Sequence, residues 1–106
     1  MKISFGDSRF NLVISSPKID SEETYEDVVF QSGQAWQPDR FGPEYMEGLE
    51  ARRASDSSFI GKIGIDGFNL IDLGFEADGI ACSEDGEADY SVGRQQWYAT
   101  RRPEQA

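Results

Sequence analysis

The chain has 106 residues, which is the size of one domain. Its 20 acidic and 10 basic side chains give a net charge of −10 at pH 7, and the resulting electrostatic field repels nucleic acid and anionic lipid. Direct binding to DNA, RNA or a membrane is therefore the least favoured role, and seven Phe, four Tyr and two Trp argue against a disordered acidic tail. We expect a single folded domain over residues 1–106 that binds a basic protein surface and takes no small-molecule substrate.

The N-terminal region is predicted to form a β-hairpin with strands over residues 2–5 and 9–15. Apolar side chains alternate with other residues from Phe10 to Ile14, which is the period of a strand, and residues 6–8 have the composition of a turn.

The next segment has mixed signals. Asp20-Ser21-Glu22-Glu23 is typical of a helix start and predicts a short helical turn near residues 21–25. Val28-Val29-Phe30 favours a strand over residues 25–31. Two Pro and two Gly within residues 32–43 predict a loop.

The main predicted helix covers residues 44–54. Pro43 suits the first position of a helix, and Arg52 and Arg53 at the other end favour its dipole. Helical spacing gives one packed face and one acidic stripe. The packed face consists of Tyr45, Met46 and Leu49, and the acidic stripe consists of Glu44, Glu47 and Glu50.

From Ser58 onward the chain is predicted to form an antiparallel meander, because Asp-Gly between apolar runs is a strong hairpin signal. The predicted strands are 58–65, 68–76, 79–83 and 88–99, separated by Asp66-Gly67, Asp78-Gly79 and Asp85-Gly86. Residues 101–106 are expected to be a frayed tail. The expected fold class is α+β: an antiparallel sheet, made of the N-terminal hairpin and the C-terminal meander, packed with one main helix.

Acidic residues are concentrated in two blocks. Residues 20–50 contain nine acids and one base, and residues 66–90 contain eight acids and no base, so each block carries −8. Such segregation costs stability through self-repulsion and favours a functional acidic face. General solubility and a high-salt organism are the alternatives, since only three lysines accompany twenty acids.

Catalysis is not indicated. The absence of histidine removes the base of a Ser–His or Cys–His nucleophile, and Cys82 is expected to be a buried strand residue and not a reactive thiol. Residues 83–89 lack the calcium-loop pattern, and the glycines lack nucleotide-binding spacing. A carboxylate pair that hydrolyses a glycoside is the enzymatic alternative. We expect no enzyme, no cofactor and no metal.

The expected location is the cytoplasm. A lone Cys82 cannot form an internal disulfide, which suits a reducing compartment. No apolar run approaches the ~18 residues that cross a bilayer. Residues 1–6 lack the apolar core of a secretion signal.

The candidate partner-binding residues are carboxylates from both blocks, with two aromatic anchors. Rows of carboxylates on a rigid scaffold can occupy a groove that binds phosphates. Trp36 and Phe41 are the candidate anchors, although both are equally suited to cover one end of the core. The acidic candidates are Glu22, Glu23, Glu26, Asp27, Glu44, Glu47, Glu50, Asp72, Glu76, Asp78, Glu84, Asp85, Glu87 and Asp89.

In size, acidity and lack of catalytic residues the chain resembles the small anti-CRISPR and DNA-mimic inhibitors of phages and mobile elements. The resemblance is one of general character and has no specific motif. It implies an inhibitor that covers the nucleic-acid-binding surface of a host defence complex, in the host cytoplasm if the chain is phage-encoded. An immunity-type or adaptor protein that binds a basic protein is the alternative, together with an acidic structural domain from a high-salt organism.

Overall fold

The computed structural model describes residues 5–39 and 42–103, with the backbone alone for residues 36–39 and 42–46. The described chain is built from strands, with one short 3-10 turn at Pro17–Ile19. The strands are β1 (Phe10–Ser16), β2 (Ser21–Asp39), β3 (Gly42–Arg53), β4 (Phe59–Ile71), β5 (Gly74–Cys82) and β6 (Arg94–Arg101).

The six strands form a closed antiparallel barrel in chain order. Each strand pairs with its neighbours in sequence, and β1 also pairs with β6, from Phe10 opposite Arg101 to Ser15 opposite Gln96. Closure gives the first and last strands a partner on both sides, so neither leaves an open edge.

The core follows from the two-residue period of the strands, which sends alternate side chains inward. Leu12, Phe75 and Trp97 are fully or almost fully buried. Phe5 lies before β1 and stacks on Phe75 with ring centroids 4.8 Å apart. Trp97 is 1 % exposed and Tyr98 is 47 % exposed, so these neighbours face opposite sides of β6.

The predicted α+β fold class is wrong, because the main helix over residues 44–54 does not form. Residues 44–53 belong to β3, which pairs with β2 along its length and with β4 over Gly48–Arg52, and Ala54 lies in the turn that follows. Leu49 and Ala51 are both fully buried, as alternate strand residues are. Good helix formers therefore adopt a strand here, because pairing on both sides outweighs local propensity.

The predicted helical turn near residues 21–25 is also wrong, since these residues start β2. The one helical turn in the described chain comes earlier, and Asp20 ends it in the left-handed conformation with φ 51°. The second strand of the expected N-terminal hairpin forms as β1, which pairs with β2 and β6. Residues 2–4 of that hairpin lie outside the described residues.

Two of the three predicted Asp-Gly turns do not form. Asp66-Gly67 lies within β4 and Asp78-Gly79 within β5, where Gly67 and Asp78 are register partners. The chain reverses instead at Asp72-Leu73, where Leu73 has φ 60°. Gly79 allows the backbones of β4 and β5 to approach closely, since a Cβ at this position would lie 1.7 Å from the carbonyl oxygen of Gly64. Only Asp85-Gly86 lies in a turn, with Gly86 at φ 90°.

The predicted loop over residues 32–43 is a two-stranded ribbon in its described part. From Gln34 opposite Glu47 to Asp39 opposite Gly42, β2 and β3 pair only with each other among the described strands. This ribbon extends beyond the barrel, and the molecule measures 50 × 30 × 27 Å.

The last strand begins and ends later than predicted, and residues 104–106 of the predicted tail lie outside the described residues. Residues 83–93 connect β5 to β6 and contain one isolated bridge, between Cys82 and Ala88. Arg101 ends β6, and the backbone N–H of Arg102 donates to the carbonyl of Arg9 at 2.7 Å. Cys82 is buried as expected, and burial raises the pKa of its thiol. No helix in the described residues is long and apolar enough to cross a membrane.

We expect Leu49→Ala to lower the free energy of unfolding by about 2–5 kcal/mol, because it leaves a cavity at a fully buried position. Urea unfolding followed by tryptophan fluorescence measures the change. Leu70→Ala is the matched control: its side chain is 74 % exposed, so stability should change by less than about 0.5 kcal/mol. Equal losses in both variants would contradict the assignment of Leu49 to the core.

Tyr25 gives a pH-dependent contribution to stability. Burial, the hydrogen bond that its hydroxyl donates to Glu23 at 2.7 Å and the negative charge of Glu23 raise the pKa of Tyr25 from 10.0 to about 12. The unfolded pKa is about 10, so this contribution is fully present below that pH and is lost as the pH rises through the folded value.

We expect the tyrosinate absorbance of the folded protein to contain a component that titrates near pH 12. Tyr25→Phe should remove this component, and Glu23→Gln should move it to lower pH. Tyr98→Phe is the control and should leave it in place. A late component that persists in Tyr25→Phe would show that another tyrosine carries it.

Candidate binding surface

A shallow groove crosses the outside of the barrel where β1, β6, β5 and β4 run side by side. Its volume is about 420 Å³. We call it the exterior groove and define it by Val13, Ser15, Gln96, Tyr98, Glu76 and Gly67, which are among its lining residues.

Strand register places these residues in two rows on the outer face. In the first row Val13 lies opposite Tyr98, and Tyr98 lies opposite Glu76. In the second row Ser15 lies opposite Gln96, and Gln96 lies opposite Asp78. Because successive strand residues face opposite sides, the same strands send their other residues into the core.

The groove is open at Gly67. A Cβ built on Gly67 meets no heavy atom within 4 Å, so this position leaves free space above the sheet. The register between β4 and β5 shifts between Ile65 and Gly67, which is the site of a bulge or irregularity. Bulges bend a strand locally and commonly re-aim side chains at functional surfaces.

The floor of the groove, formed by Val13, Ser15, Gln96 and Tyr98 of β1 and β6, is neutral, and the strands on its two sides carry carboxylates. Glu22 of β2 lies opposite Ser15 and extends the second row on one side, and Asp78 of β5 lies on the other. Three strand spacings separate them, which is about 14 Å. None of the lining residues is basic. Asp78 is paired with Arg94, whereas Glu22 and Glu76 make no ion pair with a described residue, so these two carboxylates attract a positively charged group to the groove.

Tyr98 is the aromatic side chain of the floor and is 47 % exposed. A half-exposed tyrosine on a rigid strand offers a large apolar ring at low cost in conformational entropy. A guanidinium or ammonium group can stack on such a ring. Glu76, beside Tyr98 in the same row, makes no ion pair with any described residue, so its charge remains available.

The predicted acidic blocks are partly neutralised by arginines from outside them. Arg94 bridges two carboxylates, with Nη2 2.7 Å from Asp66 and Nη1 2.6 Å from Asp78. Arg52 bridges Glu84, at 2.7 Å from Nη2, and Glu50. These carboxylates raise the pKa of both guanidinium groups. The base-free segment 66–90 is therefore not a bare acidic surface.

The remaining predicted carboxylates are spread over the molecule. Asp27 is held by Arg9 at 3.0 Å. Asp89 accepts hydrogen bonds from the backbone N–H and hydroxyl of Ser91, which lower its pKa. The candidates that make no ion pair with the described residues are exposed: Glu22, Glu23 and Glu26 on β2, Asp72 at the β4–β5 turn, Glu76 on β5, and Asp85, Glu87 and Asp89 in the β5–β6 connection.

The predicted acidic stripe of residues 44, 47 and 50 does not exist, because it required the helix. Glu47 and Glu50 are three positions apart on a strand and lie on opposite faces. Glu50 is only 9 % exposed and accepts hydrogen bonds from Gln31, at 3.1 Å, and from Arg52. The side chains of Glu44 and Trp36, and the whole of Phe41, lie outside the described residues.

Sequence reasoning did not assign Tyr98 or Gly67 to a site. The alternation of Trp97 and Tyr98 was a usable signal, because a core Trp97 requires an outward Tyr98. No sequence signal showed that Val13 and Glu76 flank this ring. Among the described residues, no three His, Cys, Asp or Glu side chains are grouped to hold a metal ion.

Comparison of the chain with protein-family models, with curated proteins and with solved structures gives no match.

We expect Glu50→Lys to lower the free energy of unfolding by about 2–4 kcal/mol, because it removes a buried acceptor from Gln31 and Arg52. Glu76→Lys makes the same charge change at an exposed position and should alter stability by less than about 0.5 kcal/mol. Urea unfolding measures both variants. An unchanged free energy of unfolding in Glu50→Lys would show that the Glu50 side chain does not stabilise the fold.

Proposed function

We propose that this protein acts without catalysis, by binding a basic surface of a protein partner through the exterior groove. The observation that carries this proposal is the exposed ring of Tyr98 beside the carboxylate of Glu76, which makes no ion pair with a described residue, on a surface without a basic lining residue. Aromatic side chains in such positions are the common anchors of protein interfaces.

An arginine of the partner fits this surface. Its guanidinium group stacks on the Tyr98 ring, an interaction worth about 0.5–2 kcal/mol depending on desolvation. The carboxylate of Glu76, next to Tyr98 across the strand pair, accepts hydrogen bonds from the same group. Glu22, on the far side of the floor, attracts a second basic group of the partner. Such charge pairs set association rate and specificity more than affinity.

We further propose that this basic surface of the partner normally binds nucleic acid. The net charge of −10 supports it, because proteins that bind DNA present grooves rich in Lys and Arg. The protein then acts like the anti-CRISPR inhibitors that it resembles, by covering that surface of a host defence complex in the cytoplasm. An immunity-type or adaptor protein that binds another basic protein is the alternative.

We test the groove with two substitutions that leave the core intact. Tyr98→Ser removes the exposed ring, and Gly67→Gln fills the open space, where a side chain meets no heavy atom within 4 Å of its Cβ. Tyr90→Ser is the matched control: Tyr90 is 50 % exposed, close to the exposure of Tyr98, but lies in the β5–β6 connection outside the groove. Unfolding midpoints verify that all three variants fold.

Tagged protein is used for capture from bacterial lysate at low and raised salt, with and without excess duplex DNA. We expect capture of a nucleic-acid-binding complex that DNA and salt displace. Affinity for the purified partner should fall at least about tenfold in Tyr98→Ser and Gly67→Gln, and stay unchanged in Tyr90→Ser.

The outcomes separate the proposals. Capture that DNA does not displace, but that both groove variants lose, would retain the groove and replace mimicry with an immunity-type role. Capture that is equally strong in all variants would remove the groove from the interface. The absence of any salt-sensitive basic partner would reject the binding function and leave acidity as a solubility or high-salt property.

A further inference from the structure

Three of the ten basic residues of this acidic chain line one pocket at an end of the barrel. The pocket lies where β1 begins and β6 ends, and its volume is about 610 Å³. Its lining includes Asp7, Ser8, Arg9, Asp27, Arg101 and Arg102. We call it the arginine pocket. It shares no lining residue with the exterior groove.

Two of the three guanidinium groups are held by neighbouring side chains. Nη1 of Arg9 donates to both carboxylate oxygens of Asp27, at 3.1 and 3.0 Å. Nη1 of Arg102 donates to Oδ1 of Asn11 at 2.9 Å. The backbone N–H of Arg102 also donates to the carbonyl of Arg9, which ties the two segments together. Binding a ligand therefore requires little further ordering of these side chains.

Arg101 has no carboxylate partner among residues 5–39 and 42–103. Its guanidinium carbon lies 5.7 Å from the centre of the Phe10 ring, and it makes no ion pair with a described residue. The ring supports a cation without neutralising it.

The described lining residues of the pocket carry a net positive charge despite the net charge of the chain. Three arginines and two acids, Asp7 and Asp27, line the pocket, and Arg9 already pairs with Asp27. At physiological ionic strength charges separated by more than about 8 Å are largely screened, so distant acids contribute little at this position. Arginine clusters are the usual protein recognition element for phosphate, because the planar guanidinium binds two oxygens at once.

We propose that the arginine pocket binds a phosphate-class oxyanion, either free or as the phosphates of a small organic molecule. Arg101 and Arg102 donate hydrogen bonds to the anion, and the hydroxyl of Ser8 provides a further donor. Arg9, fixed by Asp27, adds positive charge at the rim. The site is independent of the exterior groove and of the partner proposed for it.

The test uses the full chain and sodium pyrophosphate as the probe. Nuclear magnetic resonance of the arginine Nε–Hε groups follows the titration, with sodium chloride at matched ionic strength as the reference. We expect saturable shifts at Arg9, Arg101 and Arg102 that chloride does not produce. A nucleoside diphosphate in a parallel titration distinguishes the two sources, since tighter binding than pyrophosphate indicates an organic phosphate.

Arg101→Gln should weaken pyrophosphate binding at least about tenfold, as expected for the loss of a charge-assisted contact. Arg94→Gln is the matched control: it makes the same charge change at an arginine that Asp66 and Asp78 already pair. Its affinity should change less than about twofold. Arg102→Gln provides a second test of the pocket, and Tyr98→Ser should leave pyrophosphate binding intact while it removes the proposed partner.

Two results would overturn the proposal. Shifts that chloride reproduces at equal ionic strength would show general screening and no site. Equal weakening by Arg94→Gln and Arg101→Gln would show that only the net charge of the protein matters.

Discussion

The pairing of β1 with β6 is the constraint on which the rest of the structure depends. It joins strands from opposite ends of the chain and closes the barrel. The exterior groove exists because this pairing sets Val13 beside Tyr98. The arginine pocket exists because the same pairing continues past the strands, where Arg102 binds the carbonyl of Arg9. Both proposed sites are therefore consequences of barrel closure.

Closure also separates the roles of the two faces of each strand. Inward residues such as Leu12 and Trp97 supply the hydrophobic stabilisation that offsets the entropy lost in long-range pairing. Outward residues such as Val13 and Tyr98 then need not contribute to the core. A binding surface on the outer face can consequently change without loss of the fold. Glu50 is an exception, because this outward carboxylate is buried and accepts hydrogen bonds from Gln31 and Arg52.

The sequence predicted the strands where alternation was strict, and it failed where a local signal competed with pairing. The strand over Phe10 to Ile14 was assigned correctly, as was the buried Cys82. Residues 44–54 have helix-forming composition, but β2 and β4 offer partners on both sides that a local pattern does not encode. Asp78-Gly79 looked like a turn, yet Gly79 is there because Gly64 approaches closely. Neither proposed site was predictable as a set, since its members come from strands far apart in the chain.

The charge of the chain has to be considered locally and not as a total. The two acidic blocks carry the same net charge of −8, but Arg52 and Arg94 neutralise some of their members. Glu22 and Glu76, beside the groove, make no ion pair with a described residue. At the barrel end the balance has the opposite sign. The molecule measures 50 × 30 × 27 Å, and the screening length is about 8 Å in physiological salt. A surface that attracts a basic partner and a pocket that attracts an oxyanion can therefore coexist on one small barrel, because each ligand responds to the charges within its own neighbourhood.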